Sequence, residues 1–168
     1  MSMTVLIRGH RSSLPVLADA CFTKANYNTP ASHPNTTLGV NTPRGVLGGS
    51  VAGVSSAAGD YTAVPCTALL QPIGLFLNDA AGAAFENSPA VASGKVAVMK
   101  GMASVEVDVY ETHDVSNAAQ TYAVGDLLYS SANGFLTKEQ EDPAAVVVGV
   151  CTKAPTVSSP TLGLEMRI

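Results

Sequence analysis

Residues 121–150 decide the fold: Thr121-Tyr-Ala-Val-Gly125-Asp126-Leu-Leu-Tyr129, then Ser-Ser-Ala-Asn133-Gly134, then Phe135-Leu-Thr137, a charged stretch, and Ala144-Ala-Val-Val-Val-Gly-Val150. Val124-Gly125-Asp126 turns the chain, because glycine tolerates positive φ and aspartate hydrogen-bonds its own backbone. Leu127-Leu128-Tyr129 is strand-sized. Asn133-Gly134 is a strong hairpin signal, since both residues accept the left-handed conformation of a primed turn. Phe135-Leu136-Thr137 is then the return strand. Val146-Val147-Val148 is β-branched and too short for a capped helix, which predicts a buried strand, with Gly149 marking a bulge or bend. Short antiparallel strands of this kind curl into a small barrel.

The flanks extend the same pattern. From Ser104 to Glu111, Val105, Val107 and Val109 alternate with Glu106, Asp108 and Tyr110. The valines are expected to face the core. Leu162, Leu164, Met166 and Ile168 alternate in the same way and predict a final strand tied into a sheet. Lys95–Met99 reads as a strand, Val64–Leu77 as two short strands or one bent one, and Met3–Ile7 as a first strand. No stretch reads as a helix; Asp79–Phe85 is Ala-rich but short and broken by Gly82.

Residues 1–60 have a different character. Residues 23–59 are dominated by Thr, Asn, Ser, Pro, Gly and Ala, with Pro30, Pro34 and Pro43 as interruptions. Such a segment buries too little apolar surface by itself to offset its ordering entropy. The reading is therefore all-β: an extended irregular N-terminal arm over 1–60 and a small antiparallel β-barrel-like domain over 61–168. Within the arm, residues 12–60 are expected to contact neighbouring subunits.

Turn, strand and hairpin together resemble the small β-barrel of tailed-phage capsid decoration (cement) proteins. The resemblance rests on the Gly125-Asp126 turn, Leu127-Leu128-Tyr129, Asn133-Gly134, Phe135-Leu136-Thr137 and the Val-Val-Gly-Val strand, and extends to Pro72–Asp79 and Leu162–Ile168. It implies a virion structural protein on the capsid surface, assembled in the host cytoplasm. It further implies major capsid protein as partner, a homotrimer, and stabilisation of the shell. Another virion part, such as a tail-tube or capsid subunit, and a small β-barrel ligand-binding module are the alternatives.

Composition agrees with a protein covered by other chains. Charged residues make up 13% of the 168 positions, about half the ~25% usual for soluble domains. The net charge is −4, with nine Lys and Arg and none between Arg44 and Lys95. That argues against nucleic acid and against a polybasic membrane-surface patch. No apolar run approaches the ~20 residues that span a bilayer. Ala18-Asp19-Ala20-Cys21 superficially looks like a signal-peptidase site, but the apolar stretch before it is short and contains Pro15, so export is not expected. Asn35-Thr36-Thr37 matches a glycosylation sequon that a cytoplasmic chain would not use.

Candidate chemistry is sparse, and no catalytic, cofactor-binding or metal residues are assigned. Glu106 and Asp108 lie ~7 Å apart along one strand face and form a carboxylate pair or weak cation site, short of the six to eight oxygens of a calcium cage. His113-Asp114 is the one arrangement that orients an imidazole. His10, His33 and His113 lack metal-ligand spacing. Cys21, Cys66 and Cys151 form no Cys-x-x-Cys pair and fit buried thiols. Lys138–Asp142 is expected to be a solvated loop tip. Glycines match neither a phosphate loop nor a dinucleotide fingerprint.

Overall fold

A computed structural model describes residues 4–5, 10–15, 48–55, 62–66, 70–77 and 95–168. These residues form strands and connections, with no helix among them. The all-β reading is the observed fold.

Six strands make the first sheet: β1 (Thr4–Val5), β7 (Ser104–Val107), β8 (Leu127–Ser130), β9 (Leu136–Thr137), β10 (Gly149–Lys153) and β11 (Leu162–Met166). They lie in the order β1-β7-β11-β10-β8-β9, and every pair is antiparallel. Tyr110, three residues past β7, makes a parallel bridge with Leu136 of β9, and the Glu111 N–H donates to the Leu136 carbonyl at 2.8 Å. The chain beyond β7 thus meets the far edge and closes the sheet into a small barrel, which removes the exposed edge on that side.

The register explains the interior. Leu164 opposes Val105 and Cys151, Leu162 opposes Val107, and Gly149 opposes both Met166 and Leu128. Opposed residues share a face, so Val105, Val107, Leu128, Cys151, Leu162, Leu164 and Met166 all point inward, each essentially inaccessible to solvent. Each large aliphatic side chain buried this way contributes about 1.5–3 kcal/mol.

The second sheet has five strands: β2 (His10–Pro15), β3 (Val51–Ser55), β4 (Thr62–Pro65), β5 (Pro72–Phe76) and β6 (Lys95–Lys100), in the order β2-β6-β5-β3-β4. Its edge strands β2 and β4 approach one another, so the sheet curls into a half-barrel. Val51, Cys66, Leu75 and Met99 from this side join the barrel residues in one core cluster. The expected boundary at residue 60 falls between β3 and β4, which pair with each other. Of the expected arm, β1, β2 and residues 48–55 are described, and all of these strands are paired into sheets; the rest, with Cys21, His33 and the 35–37 sequon, lies outside the described residues, as does Asp79–Phe85.

Four local expectations are corrected. The valine run is not the strand: β10 starts at Gly149 and reaches Lys153. Asp142 keeps residues 142–145 in a turn, accepting from Ala144 N through its side chain and from Ala145 N through its carbonyl. The ladder is joined at Val148, whose N–H donates to the Leu128 carbonyl at 2.7 Å, while Val146 stays exposed. Gly149 is not a bulge either. A Cβ there would lie 2.4 Å from the Glu165 carbonyl oxygen, so the residue permits close strand approach, and the register slips instead between Cys151 and Lys153. The Asn133-Gly134 hairpin is present, but its turn is not the primed type. Gly134 alone is left-handed, at φ 78°, and its N–H donates to the Ser131 carbonyl. This is a turn ending in a left-handed glycine, the longer hairpin solution. The alternation also ends early, since β7 stops at Val107, and Tyr110 is buried rather than outward.

Gly74 supplies the sharpest backbone test. It sits in β5 at φ 155°, and a Cβ would lie 1.9 Å from the Met99 carbonyl oxygen of β6. Gly101, at φ 81°, has open space around it. Gly74→Ala is expected to cost at least about 3 kcal/mol of unfolding free energy, and Gly101→Ala only about 1–2 kcal/mol. Urea unfolding of both variants checks this; equal losses would refute the close-approach argument.

Candidate functional site

The polar groups with the most constrained surroundings gather where the chain leaves β7 and meets the β8–β9 hairpin. Glu111 is 3% exposed. Its Oε1 accepts from Ser131 Oγ and from Asn133 Nδ2, both at 2.8 Å, while its Oε2 is buried with no hydrogen-bond partner. Burial pushes the carboxyl above its usual range; the two hydrogen bonds pull the other way, and the charge of Glu141 adds to the rise. The Tyr122 hydroxyl donates to the Glu111 carbonyl at 2.6 Å and lies 3.3 Å from the Leu136 carbonyl. Its ring meets Tyr110 edge-on, with centroids 5.5 Å apart. The Tyr110 hydroxyl in turn donates to the Pro160 carbonyl at 3.0 Å. Burial raises both phenols, so they are neutral hydrogen-bond donors.

The hairpin tip is held from several sides. Ser131 Oγ accepts from the N–H groups of Asn133 and Phe135. Glu141 Oε2 accepts from Ala132 N at 2.8 Å, and burial raises this carboxyl too. The Gly134 carbonyl accepts from Val51 N at 2.9 Å, which joins the tip to β3. Ser130 Oγ donates to the Cys66 carbonyl at 2.5 Å beside it.

The residues singled out from the sequence are dispersed. Glu106 on β7 accepts from Lys153 Nζ of β10 at 2.6 Å and from Thr161 Oγ1 at 2.7 Å. These contacts hold its carboxyl below the usual range. Asp108 lies past the end of β7, and its charge adds to the burial that raises Tyr110. His113 Nδ1 faces Thr112 Oγ1 at 3.0 Å. Asp114 Oδ1 accepts from Ser116 N and Ala118 N, capping its own loop instead of orienting the imidazole. Cys66 and Cys151 are buried thiols, and burial pushes Cys66 up to about 11, which makes it a poor nucleophile at neutral pH. His10 is in β2.

Lys138–Asp142 is a surface loop anchored at its start: Lys138 Nζ donates to the Thr121 carbonyl, and Glu139 Oε2 accepts from Val115 N at 3.3 Å. Beside it is a shallow depression of about 320 Å³, lined by Asp114, Ala119, Gln120, Thr121, Lys138 and Glu139. Among the described residues no group of three or more His, Cys, Asp or Glu is placed to hold a metal ion, and no helix is long and apolar enough to cross a membrane.

Glu111 is the residue the sequence reading passed over. It has the parity of Val105, Val107 and Val109, so the alternation itself aims it inward. A charged residue in a core-facing position was the available signal.

Compared with family models, curated proteins and solved structures, the chain finds no match in any of the three.

Two outcomes are expected. Tyr122→Phe removes the hydroxyl that serves the Glu111 carbonyl and costs about 1–2 kcal/mol in urea unfolding; an unchanged midpoint would show the bond contributes nothing. Glu106 has a lowered native pKa, so its contribution is present above the unfolded value of 4.5 and fades as pH falls through the native value. Because the group is partly exposed, this loss is small. Glu106→Gln should leave the stability profile above pH 6 nearly parallel to that of the parent, with the difference shrinking below pH 4.

Proposed function

We propose that this protein is a virion structural protein of the capsid-decoration kind, a homotrimer that bridges major capsid protein subunits. One observation carries the reading. Met102, Val115, Val124 and Val157 are 72, 70, 71 and 106% exposed, on three connections around the barrel: Met102 ahead of β7, Val115 and Val124 between β7 and β8, and Val157 between β10 and β11. Single exposed apolar residues are ordinary on well-charged surfaces. Here they stand on a chain with only 13% charged residues, so several loops offer neutral or apolar contact at once.

A closed barrel suits this role because it presents loops from a rigid frame and leaves few open strand edges. A protein that binds the expanded shell but not its dissociated subunits stabilises the shell by mass action. Several weak contacts engaged together supply avidity that no single loop has. The resemblance in the 121–150 pattern supports the same reading.

Size-exclusion chromatography with light scattering on the full chain is the first test. A trimer of the 17.1 kDa chain is expected, followed by binding to expanded phage shells and a higher temperature of shell disruption. Rings of six would transfer the reading to a tail tube. A monomer that fails to bind shells would overturn it. Val124→Asp and Val157→Asp should each change unfolding free energy by no more than about 0.5 kcal/mol while weakening shell binding at least tenfold. Binding unchanged in both would remove these loops from the interface.

A further inference from the structure

The tip of the β8–β9 hairpin, residues 131–134, is fastened by two carboxyl groups and joins the two sheets. Glu111 Oε1 holds Ser131 and Asn133, and Glu141 Oε2 holds the Ala132 N–H. The Gly134 carbonyl holds Val51 of β3, and the Gly134 α-carbon sits so close to Pro65 and Cys66 that an added Cβ would lie 3.3 Å from the Cys66 carbonyl oxygen. Val51 itself accepts from Cys66 N at 2.9 Å. At this end of the barrel the curled sheet is attached through Gly134 and, one residue before the tip, through Ser130 Oγ on the Cys66 carbonyl.

Glu111 is placed to make that attachment depend on a proton. An ionised carboxylate presents about four acceptor sites, and here the acceptors on Oε2 are buried without a donor. An unpaired buried charge is costly, whereas a neutral acid in the same place is tolerated. Among the described residues, the groups around it offer no counter-charge. Tyr110 precedes it on the same strand extension. Tyr122 contributes a phenol to its carbonyl. The hairpin contributes the neutral Ser131 and Asn133, and the following loop contributes Glu141, with Glu139 beyond. His113 faces Thr112, and Lys138 reaches the Thr121 carbonyl. The ion pair of Lys153 with Glu106 is elsewhere.

We propose that Glu111, assisted by Glu141, is a proton-operated clasp on the hairpin tip. Protonated, it holds residues 131–134, and through Val51 the curled sheet, against the barrel. Ionised, it places a second negative charge beside Glu141 in a buried site, and the tip loosens. The sign follows from the geometry and from burial, which raises both acids above 4.5. The folded chain holds protons that the unfolded chain has released, so the contribution is full below 4.5 and is lost as pH rises through the native values.

Hydrogen exchange on the full chain between pH 4.5 and 8, corrected for intrinsic exchange, tests the clasp. The amides to follow are Val51, which donates to Gly134, and Ser131, which donates to Phe135; Cys151, bonded to Asp126, is the reference. Protection at Val51 and Ser131 is expected to fall at least tenfold with rising pH while Cys151 changes little. Glu111→Gln, which keeps an acceptor for Ser131 and Asn133 but cannot ionise, should flatten the dependence, and Glu141→Gln should reduce it. A flat profile at Val51 and Ser131 in the parent, or the same fall in Glu111→Gln, overturns the proposal. If Glu111→Gln does not fold, the parent profile and Glu141→Gln decide: a tip-specific fall that Glu141→Gln reduces supports the clasp, and an equal fall at Cys151, or none reduced by Glu141→Gln, overturns it.

Discussion

The Leu136 carbonyl is the point on which the barrel closes. It accepts from the Glu111 N–H at 2.8 Å and has the Tyr122 hydroxyl 3.3 Å away. The strand it belongs to is only two residues long. So short a strand is not stable alone; it is held because the chain beyond β7 returns to it from the other side. The register of β7 against β11, and of β11 against β10, sets which of their side chains face inward. The same return carries Glu111 into the interior, so the barrel's one buried carboxyl among the described residues is a consequence of how it shuts.

Two kinds of polar contact divide the work. Glu106, Lys153 and Thr161 tie three neighbouring strands together at the surface, where water shares the load and either charge is dispensable. Glu111, Ser131, Asn133 and Tyr122 act in the interior, where each lost partner leaves a desolvated atom behind. The first set links ladders that backbone bonds already hold. The second joins the chain beyond β7 to the β8–β9 hairpin, whose tip meets β3 through a backbone bond, Val51 N–H to the Gly134 carbonyl. Side-chain hydrogen bonds therefore matter most where the chain beyond β7 meets the β8–β9 hairpin.

Glycine has two separate jobs in this chain. Gly125 and Gly134 turn it, at φ 97° and 78°. Gly149 and Gly163 instead allow β10 and β11 to approach: a Cβ would lie 2.4 Å from Glu165 O in one case and 2.7 Å from Lys153 Cβ in the other. The turn glycines were legible from Gly-Asp and Asn-Gly. The packing glycines were not, because close approach involves a strand distant in sequence; within its own run Gly149 signals only a bulge or bend.

Local signals determined much of the fold. Alternation at 104–111 and 162–168, the two glycine turns and the lack of a capped helical pattern all report on neighbours within a few residues, and they specify an all-β chain, the β8–β9 hairpin and the inward faces of β7 and β11. Tertiary structure decided the rest. Val146–Val148 has strand propensity but its start is governed by the Asp142 turn, so the strand moved to Gly149–Lys153. Asn133 has the chemistry of a primed turn, yet its side chain is drawn to Glu111, 22 positions away. Glu111 itself could be seen to have core parity but not to have partners, because Ser131 and Asn133 reach it only once Leu136 has closed the barrel. Propensity and parity are properties of a short stretch of chain; a hydrogen-bond partner is a property of where two distant stretches meet.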